Sequence, residues 1–377
     1  MIPCHQRPKG RLSALLSAAA ALALAASSAH AVTEFDVTNL VSDGFVPAAH
    51  IDPLLQNPWG VSFAPMSPFW VSDNQHGVTT LYNGAGQSIT ALPKVTIPPD
   101  GSSPTGQVFN NTNSFQIDGK KPFFIFDGED GHISGWTGGS TAATLAVTST
   151  DGAVYKGLAL ASDASGDHLY ASDFHGGVIE DYTNTFGAPT TFTDTTVDPG
   201  YAPFNVQVLG GKLYVTFALQ DAAKHDDVAG PGNGYVDVFN LDGTFDHRVV
   251  GLGGEINSPW GLAIAPSSFR EFAGDLLVGN FGDGTISAFD GTTFEGKLLG
   301  RDGNPLHFGD LWALTPGNGF AAGDTQKIYF TAGLEDEAHG LFGALSVAPE
   351  PWSWTLMLVG FGLTGAALRA RRRTAPA

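Results

Sequence analysis

Short runs of Val, Ile, Leu, Phe and Tyr alternate along almost the whole chain with Asn-Gly, Asp-Gly and Gly-Gly turns. Apolar runs bounded by such turns predict β-strands, because these residues supply the positive φ that tight reversals require. No stretch between the two ends sustains the roughly 3.6-residue period of an amphipathic helix. The pattern also repeats. Asn57-Pro58-Trp59-Gly60-Val61-Ser62-Phe63-Ala64-Pro65 returns as Ser258-Pro259-Trp260-Gly261-Leu262-Ala263-Ile264-Ala265-Pro266. Apolar runs at 69–74 and 77–82 follow the first copy, and runs at 275–280 and 284–289 follow the second. Each unit therefore reads as three strands with a polar turn between the second and third.

Looser copies begin at 106–109, 157–160, 205–208 and 312–316, each with two further runs behind it. First strands then fall near residues 60, 106, 157, 205, 261 and 313. A spacing of about fifty residues is that of one four-stranded propeller blade with its loops. The predicted fold is all-β, a six-bladed β-propeller over residues 32–348. The last unit stops one strand short, and residues 34–41 form an unassigned strand ahead of the first. That N-terminal strand is expected to supply the outer strand of the last blade by pairing with 341–347, closing the ring so that no blade is left incomplete.

On these repeats the chain resembles NHL-type and SMP-30-like six-bladed propellers. It is more closely similar to a family of uncharacterised secreted propellers, through the phrases at Asn57-Pro58-Trp59-Gly60 and Asp130-Gly131-His132-Ile133-Ser134-Gly135-Trp136. That resemblance implies a fold and no activity, since one propeller scaffold carries many functions.

The ends break the pattern. Arg7, Lys9 and Arg11 precede an alanine-rich apolar stretch at 12–26, then Ala29-His30-Ala31. This is the order of a secretory signal peptide over 1–31, with cleavage between Ala31 and Val32. The single cysteine, Cys4, lies in that segment, so the exported chain carries neither thiol nor disulfide. At the other end Pro349, Glu350 and Pro351 precede Trp352, Trp354 and an apolar run over about 352–368. Arg369, Arg371, Arg372 and Arg373 follow as a membrane stop. The run is at the short end of the roughly 17–25 residues of a bilayer span, and the arginines suit its cytoplasmic side. Residues 349–377 resemble a PEP-CTERM sorting tail of Gram-negative bacteria, with a transmembrane helix. The resemblance implies signal peptidase and an exosortase as processing partners and transient anchoring in the inner membrane. It implies release to the cell surface or the extracellular space, and association with extracellular polysaccharide.

Charge narrows the partners. The net charge is −19, with 37 acidic against 18 basic residues, and the basic ones are enriched in the two terminal segments. Such a surface repels nucleic acid and attracts cations. Gly-x-Ser-x-Gly, His-Glu-x-x-His and phosphate-loop motifs are absent.

Candidate chemistry falls in the turns between second and third strands. Asp73, Asp127, Asp173, His175, Asn280, Asp283 and Glu335 occupy equivalent turns of different units and should share one rim. Carboxylate and amide oxygens there would suit Ca²⁺ or another divalent cation, and imidazole a transition metal. The plainer reading is that Asp and Asn are what tight turns require. The resemblance to SMP-30-like lactonases implies a Glu-Asn-Asn-Asp metal set. Asn205, Asn280 and Asp73 are its nearest counterparts, and the Glu early in a first strand is missing. Trp59, Trp260 and Trp312 are expected to pack between blades, and the long insertion at 218–234 carries Lys224, His225, Asp226 and Asp227. The expected function is a non-catalytic binding or structural module of the extracellular polysaccharide layer; the alternative is a metal-dependent, lactonase-like hydrolase.

Overall fold

A computed structural model describes residues 33–349. The signal segment, the Ala31–Val32 cleavage site, the sorting motif at Pro349–Pro351 beyond its first residue, the apolar run at 352–368 and the arginine cluster lie outside the described residues. Among the described residues no helix is long and apolar enough to cross a membrane.

The described chain is a six-bladed β-propeller. Five sheets are four-stranded and antiparallel, each built from consecutive strands. Their first strands are Pro58–Ser62, Pro104–Phe109, Tyr155–Ser162, Tyr201–Leu209 and Pro259–Ile264. The sixth sheet has six strands: Leu311–Pro316, Ile328–Leu334 and His339–Val347 are joined by Glu34–Ser42, which pairs antiparallel to His339–Val347 in the register Phe35 to Val347 and Ser42 to Leu341, and the short strands His50–Ile51 and Leu299–Gly300 pair in parallel with Glu34–Ser42. In every blade the first strand is terminal in its sheet and lies innermost, so its free edge faces the axis. The first strands fall where the repeats place them, each within a few residues of the expected positions.

Apolar clusters bury the faces where neighbouring blades meet. One joins Phe126 and Phe124 of the second blade to Trp70 and Leu81 of the first. Another joins Phe269 and Leu277 of the fifth to Phe330 and Leu345 of the sixth, with Phe35. Glycine on the inner strands lets the blades converge. A Cβ on Gly60 would lie 2.5 Å from the Thr105 carbonyl oxygen, and one on Gly106 would lie 2.8 Å from the Gly157 carbonyl carbon. Aligned by blade, the chain reads Trp59-Gly60, Thr105-Gly106, Lys156-Gly157, Phe204-Asn205, Trp260-Gly261 and Trp312-Ala313. The glycines of these pairs sit at crowded contacts with the next blade. Of the first members, Trp59, Phe204, Trp260 and Trp312 meet at the axis with Lys156 against them, whereas Thr105 bonds Asp127 and the Tyr155 carbonyl.

Candidate functional site

Inner strands begin at one face of the ring, here called the entry face, and second strands end there. Three inner strands are entered through a left-handed residue: Asn57 (φ 45°), Ser258 (φ 44°) and Asp310 (φ 43°). Non-glycine residues pay strain for this conformation. Two residues later stand Trp59, Trp260 and Trp312. They pack between blades, as expected from sequence, and do so at the axis, where the three meet one another. Trp59 and Trp312 stack with centroids 3.4 Å apart, and Trp260 stands edge-on to both at 6.1 and 5.7 Å. Phe281 and Phe204 close on Trp312 at 4.2 and 5.9 Å, and Phe174 joins the same cluster. Side chains from the first, third, fourth, fifth and sixth blades thus plug the channel.

Lys156 lies on this plug, 1% exposed. Its ammonium is 5.1 Å from the Trp59 ring centroid and 5.9 Å from that of Phe174, cation–π distances. Nζ donates to Glu129 Oε1 at 2.5 Å and to Asp226 Oδ1 at 3.3 Å. Asn74 Nδ2 donates to the other Glu129 oxygen at 2.8 Å. Asn57 ties the far side, donating to Glu337 Oε2 at 2.6 Å and accepting from Trp312 Nε1 at 3.0 Å. Burial works against the ammonium, but the charges of Glu129, Asp226 and Glu337 outweigh it and hold the lysine above its usual value. Burial, reinforced by the neighbouring Glu129 charge, pushes Glu337 up to about 7, and burial pushes Asp227 up to about 6.

The seven residues singled out in the turns share the entry face, since each lies at or just beyond the end of a second strand. Their roles there are local. Asp73 is fully buried, and burial lifts its carboxyl well above the usual range. Thr80 works against that rise, yet neither carboxylate oxygen makes a hydrogen bond of sound geometry. Asp127 accepts from Thr105 Oγ1 at 3.0 Å, and burial raises it to about 7. Asp173 caps its turn through the Val154 and Gly176 amides. Asn280 accepts from the Asn257 amide and donates to Thr285 and Ser287. Asp283 accepts from Thr285 and Lys297. His175 is half-buried, and Glu335 is exposed in a left-handed turn. Of the lactonase-like counterparts, Asn205 spends its amide on the Trp260 carbonyl at 2.7 Å.

These turns lie one to two strand spacings outside the inner strands, roughly 5–10 Å further from the axis. That explains why no three of their Asp, His and Glu side chains gather. Among the described residues, the one group of three whose ligand atoms come within 4.8 Å of one another is Glu129, His225 and Asp226. His225 and Asp226 come from the long insertion. The Lys156 ammonium already bonds Glu129 and Asp226, so it stands where a cation would sit, and the residues as arranged do not fit a divalent ion. Sequence reasoning passed over Lys156. The available signal was a lysine in a column otherwise filled by Trp, Phe and Thr.

Ser165, His168 and Asp181 show triad-like distances at the opposite face of the third blade. Ser165 Oγ is 2.8 Å from His168 Nε2, and Nδ1 is 2.9 Å from Asp181. The arrangement is a turn lock. The Ser165 hydroxyl donates to Asp163 at 2.6 Å, and the imidazole lies between the carboxylates of Asp163 and Asp181. The serine hydroxyl is committed to Asp163 and the ring is packed into the turn between two carboxylates, so the three groups fix the turn rather than face an open site.

Beyond the plug the channel opens into an axial cavity of about 310 Å³. Its lining comes from all six inner strands and includes Val61, Phe63, Gln107, Phe109, Leu160, Gln207, Trp260 and Thr315. No Asp, Glu, Lys, Arg or His contributes to it.

No family model matches the chain. The uncharacterized protein R648 of Acanthamoeba polyphaga mimivirus is 32% identical over 334 residues, covering 84% of this chain and 81% of that protein. The uncharacterized protein L690 of the same virus is 31% identical over 334 residues, covering 84% and 86%. Among solved structures, streptogramin B lyase superposes with a TM-score of 0.48 at 10% identity, covering 84% of this chain and 98% of that one. The WD40 propeller domain of Doa1 gives 0.43 at 11%, covering 78% and 94%.

Proposed function

We propose, for a chain that belongs to the family of the mimivirus proteins R648 and L690, that it is an exported propeller serving as a non-catalytic binding module of the extracellular polysaccharide layer. One observation carries the non-catalytic part: the open concavity on the axis has no titratable or nucleophilic charged side chain in its lining. General acid–base or metal-assisted hydrolysis needs such groups within reach of the bound molecule. The charged groups that do exist near the axis lie behind the tryptophan plug and are committed to one another through Lys156. Export and the polysaccharide partner rest on the terminal sequences alone, the signal-like residues 1–31 and the PEP-CTERM-like residues 349–377.

The test is to incubate the purified protein with neutral polysaccharides and, separately, with a panel of lactones. Retention on the polysaccharide without any hydrolysis, unchanged by chelator, is expected. Chelator-sensitive turnover of a lactone would replace this reading with the metal-dependent hydrolase, whose ion would have to displace Lys156 from Glu129.

A further inference from the structure

The axial cavity is a blind pocket. Along each inner strand its lining begins at or within a residue or two of the position that builds the plug: Gly60 after Trp59, Leu158 after Lys156, Asn205 after Phe204, Ala313 after Trp312, with Trp260 itself as floor. The opening is at the other face, where Phe63, Phe109, Asn111 and Thr315 stand. A polymer threading through would need two exits, and this channel has one.

The chemistry of the wall is unusual for this chain. A net charge of −19 is distributed elsewhere, and the cavity holds none of it. Yet the wall is not merely apolar. Each inner strand is the last in its sheet, so the backbone edge turned to the axis has no partner strand. Side-chain amides of the inner strands are committed between blades: Gln107 donates to the Gly60 and Trp70 carbonyls at 2.7 and 2.8 Å, and Asn205 to the Trp260 carbonyl at 2.7 Å. The inner edge itself offers backbone amide donors and carbonyl acceptors, alongside Val, Leu and Phe side chains. Such a wall rewards a ligand that is uncharged, rich in hydroxyls and apolar on its faces. An ion would lose its hydration without a counter-charge. Size sets a further limit. About 310 Å³ is at the small end of ligand pockets, room for the end of a glycan chain and not for a length of it.

We propose that this cavity takes a single uncharged sugar ring end-on, the terminal residue of a neutral glycan, with Trp260 as its floor. The proposal rests on the polysaccharide-binding reading above and adds the site, the neutrality and the end-on mode.

The experiment uses the purified protein, tryptophan fluorescence and calorimetry. The probes are neutral monosaccharides, their oligosaccharides, the matching uronic acids, and a neutral polysaccharide before and after partial cleavage that multiplies its chain ends. A neutral monosaccharide should perturb the fluorescence and compete with the polymer. Cleavage should raise the binding capacity of a fixed mass of polymer, and the uronic acid should bind about tenfold more weakly or worse. Monosaccharide binding that the polymer does not compete with would assign the site to free sugar and overturn the chain-end mode. Gln207→Trp and Thr315→Trp, on different blades and both in the lining, should each weaken binding about tenfold or more with melting unchanged. Polymer binding that ignores monosaccharide, chain-end number and both variants would overturn this proposal while leaving the binding module intact. Absence of binding to any neutral glycan would overturn both.

Discussion

Lys156 decides the electrostatics of the entry face. It is 1% exposed, rests on an aromatic plug and bonds two carboxylates. Removing one partner of a buried pair costs more than the pair contributes, because the other charge is left without compensation. Lys156→Met should therefore destabilise the fold by about 3 kcal/mol, read as a drop in the urea midpoint. Glu129→Gln in the same chain should recover much of the loss, since the pair acts as a unit. The single variant also frees Glu129, His225 and Asp226, whose ligand atoms already lie within 4.8 Å of one another. Added Zn²⁺ should raise its melting temperature and leave that of the native chain unmoved. A zinc shift of equal size in the native chain would mean that Lys156 does not hold the cation position.

Several carboxyls share a second residue-scale consequence. Burial raises Asp127 and Glu337 to about 7, and Asp227 and Asp237 to about 6. Unfolded, these groups release their protons near pH 4, whereas folded they keep them toward neutrality. The native state thus binds more protons than the unfolded state across that window, and stability falls as pH rises from about 4 to about 7. The lowered aspartates act elsewhere; Asp163, drawn down to about 2 chiefly by Ser165, matters only in stronger acid. Melting should be higher at about pH 5 than at about pH 7.5 by a few degrees. A flat or rising profile over that interval would show these carboxyls to be ionised in the fold.

At the scale of strands, the sequence was legible wherever local pattern coincided with the blade repeat. The copies beginning at Asn57 and Ser258 placed inner strands correctly because Pro-Trp-Gly marks one feature twice: a left-handed entry, an axial aromatic and a crowded blade contact. The site was less legible. Turn residues such as Asp173 and Asn280 carry ligand-type atoms, but their neighbours' backbone amides claim them. Whether a polar side chain is free or committed depends on contacts between blades that no local pattern encodes. Lys156 meeting Asp226, seventy residues later, is such a contact. The inner-strand glycines test the packing half of this argument. Gly106→Ala places a methyl against the Gly157 backbone and should cost about 1–3 kcal/mol through forced separation of two blades. Gly187→Ala, with only the Thr185 hydroxyl near at 3.3 Å, should be close to neutral in the same denaturant titration. Equal effects from the two would show that blade convergence does not depend on the glycine.

For the whole molecule, the ring and the terminal segments pose separate questions. Among the described residues no helix is long and apolar enough to cross a membrane. On the export reading, residues 1–31 direct the chain across the inner membrane and are removed after Ala31. On the same reading the apolar run at 352–368 would stop in the bilayer, because Arg369, Arg371, Arg372 and Arg373 would resist transfer into hydrocarbon, at about 2.5–3.5 kcal/mol each on insertion scales. If Pro349-Glu350-Pro351 is a sorting element, the anchor is temporary, and the propeller leaves with a blind neutral cavity and an acidic, soluble exterior. Deleting Pro349, Glu350 and Pro351 keeps the apolar run and the arginines intact, so it separates sorting from anchoring. In the native host the deletion should yield a heavier chain retained in the membrane fraction, while the intact protein appears outside as a species beginning at Val32 and ending near Pro351. Intact mass and fractionation read both ends at once. An unchanged mass and location after the deletion would make the tail a plain anchor and confine the propeller to the membrane surface.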